Sequence, residues 1–345
     1  MRFIGSKTPL LKNIEEFINE NVDNGKSFCD MFSGTSTVAR YFKKDYEIIS
    51  NDLLYFSYVL QKATVENNSR PKYKKLIKSI GLDPFKFLNN IDINNVKFNN
   101  NPYVYENYSP NPKSDRQYLK PDNALRIDYI RQTLDSWRSD NLLNDTEYFY
   151  LLAGLIEAIP YVSNIAGTYG AYLKHWDKRA LNKLNLVELD VTNNNKNNKC
   201  FNQDSNKLIK KISGDILYID PPYNSRQYAP NYHLLETISK YDMPSISGKT
   251  GLRDYQDLKS KYCSKQNVLK TFDQLIKNAK FENIIVSYST EGIMSVDEIK
   301  RVLIKYGDSK TYRMKKLSYR RYKHKPGIIK HDLNELLFYV SKKYA

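Results

Sequence analysis

Gly214-Asp215-Ile216-Leu217-Tyr218-Ile219-Asp220-Pro221-Pro222-Tyr223 is a short apolar run cut off by an acid, two prolines and a tyrosine. Ile216 to Ile219 has the length and composition of a fully buried strand. Two successive prolines fix two backbone dihedrals and remove two N–H donors, so the strand stops at Asp220 and its last carbonyls are left free of a ladder. The carboxylate of Asp220, the rigid Pro221-Pro222 pair and the aromatic face of Tyr223 are thereby set at the carboxyl end of a strand. In open α/β sheets that edge is where ligands bind. The chain is therefore expected to be α/β, with Asp220, Pro221, Pro222 and Tyr223 as candidate catalytic residues.

Working upstream, Ser27 to Phe32, the small-residue turn Ser33-Gly34-Thr35-Ser36 and a helical pattern from Thr37 to Lys43 form a strand, a turn and a helix. That is the opening of a nucleotide-type site. Gly34 permits close backbone approach to a ligand, and Asp30 can pair with a cationic group. A second strand, Tyr46 to Ser50, ends at Asn51-Asp52, an acid at a strand tip suited to ribose hydroxyls. Ahead of these, Gly5-Ser6-Lys7 precedes a helix with Thr8 as its cap, Pro9 in its first position, and Leu10, Ile14, Phe17 and Ile18 on one face. The loop would place a cation and backbone N–H groups at a helix start, suited to a carboxylate. A third strand, Lys199 onward, brings Asp204 to another tip.

From about Arg70 to Lys199 the βα rhythm breaks. Phe98 to Pro112 reads as exposed loop or hairpin, Leu125 to Trp137 and Tyr148 to Ile159 as helices, and the Asn- and Lys-rich Thr192 to Lys199 as a mobile connection. The expected division is a catalytic domain of residues 1–69 and 200–345 and an insertion of residues 70–199. Mixed aromatic, amide and basic residues on the insertion's loops, Tyr169 and Lys174 among them, suit contacts to bases and phosphates. Arg226, which follows Tyr223, and Arg253, in a basic surface loop, extend that set. Phe281 to Tyr288 is a further buried-type strand, Val296 to Tyr306 a helix, and Lys310 to Ser318 with Glu335 to Ser341 an antiparallel pair. Between that pair, basic and aromatic residues alternate, and Arg320, Arg321 and Lys323 suit a DNA backbone.

The formal charge of +16, from 54 basic against 38 acidic residues, favours a polyanionic partner. No stretch is apolar enough to span a membrane, and the first residues do not open a signal peptide, so a cytoplasmic protein near the nucleoid is expected. Three widely spaced cysteines and four scattered histidines suggest neither a disulfide frame nor a metal site.

Taken in order, Gly-Ser-Lys before a helix, Asp-Met-Phe-Ser-Gly-Thr, the acids at Asp52 and Asp204, and Asp-Pro-Pro-Tyr resemble the Dam-like (alpha, D12-class) DNA adenine-N6 methyltransferases. The wording of several stretches is similar to modification methylases of restriction systems. The resemblance covers nearly the whole chain. It implies a Rossmann-like methyltransferase sheet, a mainly helical target-recognition insertion, S-adenosyl-L-methionine as methyl donor, double-stranded DNA as partner and a companion restriction endonuclease. Matched position by position, it implies a cofactor site of Phe3, Gly5, Lys7, Asp30, Phe32, Gly34, Asp52, Asp204 and Asp220, with no metal. Ser36 departs from the pattern, standing where a second glycine is common, and Phe3 stands where several members have tryptophan. An RNA adenine or guanine methyltransferase, and a silent DNA-binding protein on the same fold, stay open as alternatives.

Overall fold

Ile216, Leu217, Tyr218 and Ile219 are fully buried because they run through the middle of a sheet. The computed structural model describes residues 5–318 and 334–342. Among these the strands are β1 (Ser27–Asp30), β2 (Glu47–Asn51), β3 (Lys199–Phe201), β4 (Ser213–Ile219), β5 (Ile246–Ser247), β6 (Leu252–Arg253), β7 (Lys280–Ser289), β8 (Arg313–Ser318) and β9 (Asn334–Ser341). Seven of them form one sheet in the order β3-β2-β1-β4-β7-β9-β8. The first five in that order are mutually parallel, and β9 runs antiparallel to both β7 and β8. The architecture is α/β with a mostly parallel central sheet, compatible with a Rossmann-like methyltransferase fold.

The order reverses between β1 and β4. From β1 the chain moves outward to β2 and β3 on one side, and from β4 it moves to β7 on the other. Such a switch point opens a crevice at the carboxyl ends of the two central strands. Successive side chains of a strand face opposite sides. Leu217 and Ile219 of β4 accordingly join an apolar cluster with Phe272 of helix Val268–Asn278 and Ile299 of helix Val296–Tyr306. Residues of the other parity face the helix Thr37–Phe42, where Phe28 stacks on Phe42 with ring centroids 4.6 Å apart. Both faces are covered, as a parallel sheet requires.

The chain clusters into two compact units. Among the described residues the sheet unit takes Gly5–Leu53, Asn194–Gln227, 258–318 and 334–342; the other takes Leu54–Asn193 and Tyr228–Asp257. The second unit is mainly helical, with Tyr55–Gln61, Pro121–Ser139, Asp145–Ala158 and His233–Lys240, and it holds the β5–β6 pair. Within this unit, buried acids tie together segments that are distant in sequence. Glu236, in the segment expected to be catalytic, accepts the backbone N–H groups of Tyr55 at 3.2 Å and Phe56 at 3.1 Å, capping that helix from outside its own sequence. Asp128 likewise accepts Val104 and Tyr105 N–H, each at 2.8 Å, and the Tyr241 hydroxyl at 2.7 Å. That cap supports a helix at Tyr103–Tyr108, within the stretch expected to be loop or hairpin.

Thr192 to Lys199, expected as a mobile connection, is instead fastened. The Asn194 amide donates to the Tyr46 carbonyl at 2.8 Å, and the Asn198 amide oxygen accepts Ile48 N–H at 2.9 Å. Asn198 is buried.

Candidate active site

The chain leaves β1 at Asp30, which is 1% exposed. One carboxylate oxygen accepts the Ser33 hydroxyl at 2.9 Å and the Ala39 N–H at 3.2 Å, bracing the turn against the helix it feeds. The other oxygen, Oδ1, has no hydrogen-bond partner. Burial raises the Asp30 carboxyl to about 7, against the Ser33 hydrogen bond, and the nearby Asp220 adds to the rise. Gly34 adopts the left-handed region with φ +51°, and its N–H donates to Asp52 Oδ2 at 2.8 Å. Ser33 N–H reaches the Asn51 carbonyl at 2.9 Å, so the turn is stitched to the end of β2. Ser36, where a second glycine is common in the resembled family, also sits at positive φ, +62°, and its buried hydroxyl has no partner.

Asp30 pairs in register with Tyr218, so Asp220 stands just beyond the paired end of β4, beside the turn after β1. Lys7 reaches it. Its Nζ lies 2.9 Å from Asp220 Oδ1 and 2.9 Å from Glu335 Oε1. Glu335, on β9, also accepts the hydroxyl of Ser287 on β7. Burial raises the Asp220 carboxyl to about 6, Lys7 draws it down, and Glu335 pushes it up. A fifth of the Asp220 side chain is exposed, whereas Lys7 and Glu335 are sealed in. Tyr223 is held through its carbonyl, which accepts Ile293 N–H at 2.8 Å.

The residues expected to share a site do so only in part. Asp220, Lys7, Asp30, Gly34 and Asp52 surround the switch point, and Phe32 sets its ring edge-on to Tyr262 at 5.0 Å. Thr8 does not cap; Lys7 holds the cap position, makes no side-chain cap bond, and directs its ammonium to the two acids. Gly5 supplies the preceding left-handed bend, φ +79°. Asp204 is a local N-cap, accepting Lys207 N–H at 3.0 Å. Lys174 and Arg226 are exposed. Tyr169, expected at a nucleic-acid surface, is 1% exposed, and its carbonyl accepts the Tyr118 hydroxyl at 2.7 Å. Arg253, expected in a basic surface loop, is buried against Asp242 in a two-point pair at 3.0 and 2.6 Å. Phe3, Arg320, Arg321 and Lys323 lie outside the described residues. Glu335, read from the sequence only as the start of a strand, was not expected in the site. Its only local signal is an acid opening the apolar run Leu336 to Val340.

Among the described residues no helix is long and apolar enough to cross a membrane, and no cluster of three His, Cys, Asp or Glu side chains could hold a metal.

Residues 3–302 match the family described as D12 class N6 adenine-specific DNA methyltransferase. Type II methyltransferase M.FokI of Planomicrobium okeanokoites is 53% identical over 347 residues, which cover 100% of this chain and 53% of that protein. Modification methylase StsI of Streptococcus sanguinis is 44% identical, over 99% of this chain and 52% of its own. The chain thus spans about half the length of these two relatives. Type II methyltransferase M.NlaIII of Neisseria lactamica is 38% identical, over 94% of this chain and 92% of its own length. With a family match over most of its length and an acid-Pro-Pro-Tyr tip at the sheet's switch point, this chain belongs to the D12 class N6 adenine-specific DNA methyltransferases.

Proposed function

We propose that the chain methylates N6 of an adenine flipped out of duplex DNA, with S-adenosyl-L-methionine as donor, as the modification half of a type II restriction system. The observation that carries this reading is the position of Asp220, held by Lys7 at the switch point beside the Asp30–Gly34 turn. The names of the relatives, type II methyltransferases and modification methylases, support the setting.

The residues present fit the donor. A buried carboxylate oxygen and a buried hydroxyl without partners, Asp30 Oδ1 and Ser36 Oγ, flank a left-handed glycine turn, which suits a ligand carrying N–H donors. Asp30, Phe32 and Gly34 would hold its amino-acid end, Asp52 its ribose, and the Asp204 loop its ring, with Gly5 and Lys7 beside it. When bound, this cofactor supplies an electrophilic methyl group.

The chain's own residues prepare the acceptor. Extruding a base costs a few kcal/mol, and stacking on Tyr223 returns about 1–3 kcal/mol of that. The exocyclic amine is a poor nucleophile because its lone pair is delocalised into the ring. Asp220 and the Pro221 carbonyl each accept one of its N–H groups, and Pro222 keeps that carbonyl rigidly placed. The nitrogen is drawn toward tetrahedral geometry and its lone pair is freed. Positive charge develops on it during attack, so ionised Asp220 stabilises the transition state more than the ground state.

The charge of +16 and the exposed Lys174 and Arg226 support DNA as the polyanion, with target recognition in the helical unit. A companion endonuclease would cut the same site when unmodified. The deciding assay follows labelled methyl transfer to duplex DNA and to structured RNA. Incorporation into duplex adenine is expected; label in RNA alone would replace the reading with an RNA methyltransferase.

A further inference from the structure

We propose that Glu335 is a positioning residue that gives the catalytic cluster a surplus negative charge, matched to the cation that forms on the target nitrogen. The inference rests on the methyl-transfer reading above and goes beyond it.

Lys7 and Asp220 already make a neutral pair, one ammonium against one carboxylate 2.9 Å away. Scaffolding needs nothing more. Glu335 adds a second carboxylate at the same distance from the same ammonium, with only 2% of its side chain exposed, so with both carboxylates ionised the trio carries one excess negative charge. Burying an uncompensated charge costs stability. The fold accepts that cost and fixes Glu335 in place with the Ser287 hydroxyl from the neighbouring strand β7. A net anionic pocket is unfavourable at rest and favourable when a positive charge develops beside it, which is how a preorganised site lowers a barrier. Glu335 also shares the Lys7 ammonium. Asp220 is therefore not fully neutralised and stays a strong acceptor for the amine.

The charged and titratable groups facing Asp220 among the described residues come from four elements. They are Lys7 from the N-terminal loop, Tyr218 from β4, Glu335 from β9 and Asp30 from β1. Of the two carboxylates, Glu335 shares the Lys7 ammonium, and Asp30 is set by Ser33, Ala39, Asp220 and Asp52. A change at Glu335 thus reads out through Asp220. With Glu335→Gln, Lys7 acts on Asp220 alone and lowers its affinity for protons.

The test is the pH dependence of methyl transfer to duplex DNA by the full chain, wild type against Glu335→Gln. The acid limb of kcat/KM is expected to move down by about one pH unit, as removal of a like charge at this range requires. The plateau kcat is expected to fall roughly tenfold with KM for DNA unchanged, the mark of an interaction made in the transition state. A lost plateau with an unmoved limb would make Glu335 scaffold and overturn the inference. If Glu335→Gln does not fold by circular dichroism, Ser287→Ala frees Glu335 to swing off Lys7. It should move the limb the same way by a smaller amount, and an unmoved limb there is equally fatal. Wild type that labels no duplex DNA at any pH would sink the methyl-transfer reading itself, whereas active wild type with unshifted variants would sink only the role of Glu335.

Discussion

The N–H of Gly34 donates to Oδ2 of Asp52 at 2.8 Å, joining the turn after β1 to the tip of β2. A ligand laid across that junction would meet both at once. Asp52→Ala should weaken binding of S-adenosyl-L-methionine by roughly tenfold or more, since it deletes a charged acceptor. Equilibrium dialysis with labelled cofactor measures this, and an unchanged affinity would remove Asp52 from the cofactor site.

Ser36 pays for a left-handed backbone and receives nothing for its hydroxyl, which is buried without a partner. Ser36→Gly should therefore stabilise the protein by up to about 1 kcal/mol, relief of strain outweighing the added freedom of the unfolded chain. Urea unfolding reads the difference. A loss of stability would show that the turn depends on the serine side chain.

Asp220→Ala should abolish methylation while leaving cofactor binding largely intact. Tyr223→Ala should weaken capture of the extruded base, whereas Tyr223→Phe should be mild, because stacking needs a face and not a hydroxyl. A fluorescent base analogue at the target position reports extrusion directly; undiminished signal with the alanine variant would count against stacking.

Methyl transfer should fall as pH drops through about 6, where Asp220 takes up a proton. Lys7 holds that carboxyl down, so Lys7→Met should move the acid limb upward, the opposite direction to Glu335→Gln. Both profiles come from one assay series, and limbs moving together in the same direction would contradict the charge arrangement.

Asp30 predicts a trade between stability and function. Its carboxyl titrates at about 7 when folded and near 4 when unfolded, so the folded state binds the extra proton and stability is lost as pH rises between those values. Asp30→Asn keeps an acceptor for Ser33 and Ala39 without the buried charge. At pH 8 it should be more stable by roughly 1–3 kcal/mol, with little difference below pH 4, while cofactor affinity falls. Unfolding curves at the two pH values check the sign; equal stability at pH 8 would mean that the charge is compensated.

Much of the sheet could be read from the chain because its strands are local apolar runs. β4, β7 and β9 lie where Ile216 to Ile219, Phe281 to Tyr288 and Glu335 to Ser341 predicted them. What stayed hidden depends on partners far apart in sequence. Nothing near Glu335 shows that an ammonium from the other end of the chain will meet it. Nothing near Tyr103 shows that Asp128 will cap a helix there. Tyr169 and Arg253 misled for a related reason. A tyrosine beside glycine and an arginine among lysines look like surface, yet one fills a core and the other closes on Asp242. Residue type predicts burial only on average.

The asparagines before β3 have a consequence for solubility. With three residues, β3 covers only Ile49, Ser50 and Asn51 of its neighbour, and the beginning of β2 would be left with open hydrogen-bonding groups. Asn194 and Asn198 occupy those groups at Tyr46 and Ile48 with side-chain amides, which cannot propagate a ladder to another molecule. A tract resembling low-complexity filler thus shields an exposed sheet margin from intermolecular pairing, the route by which such margins seed aggregates.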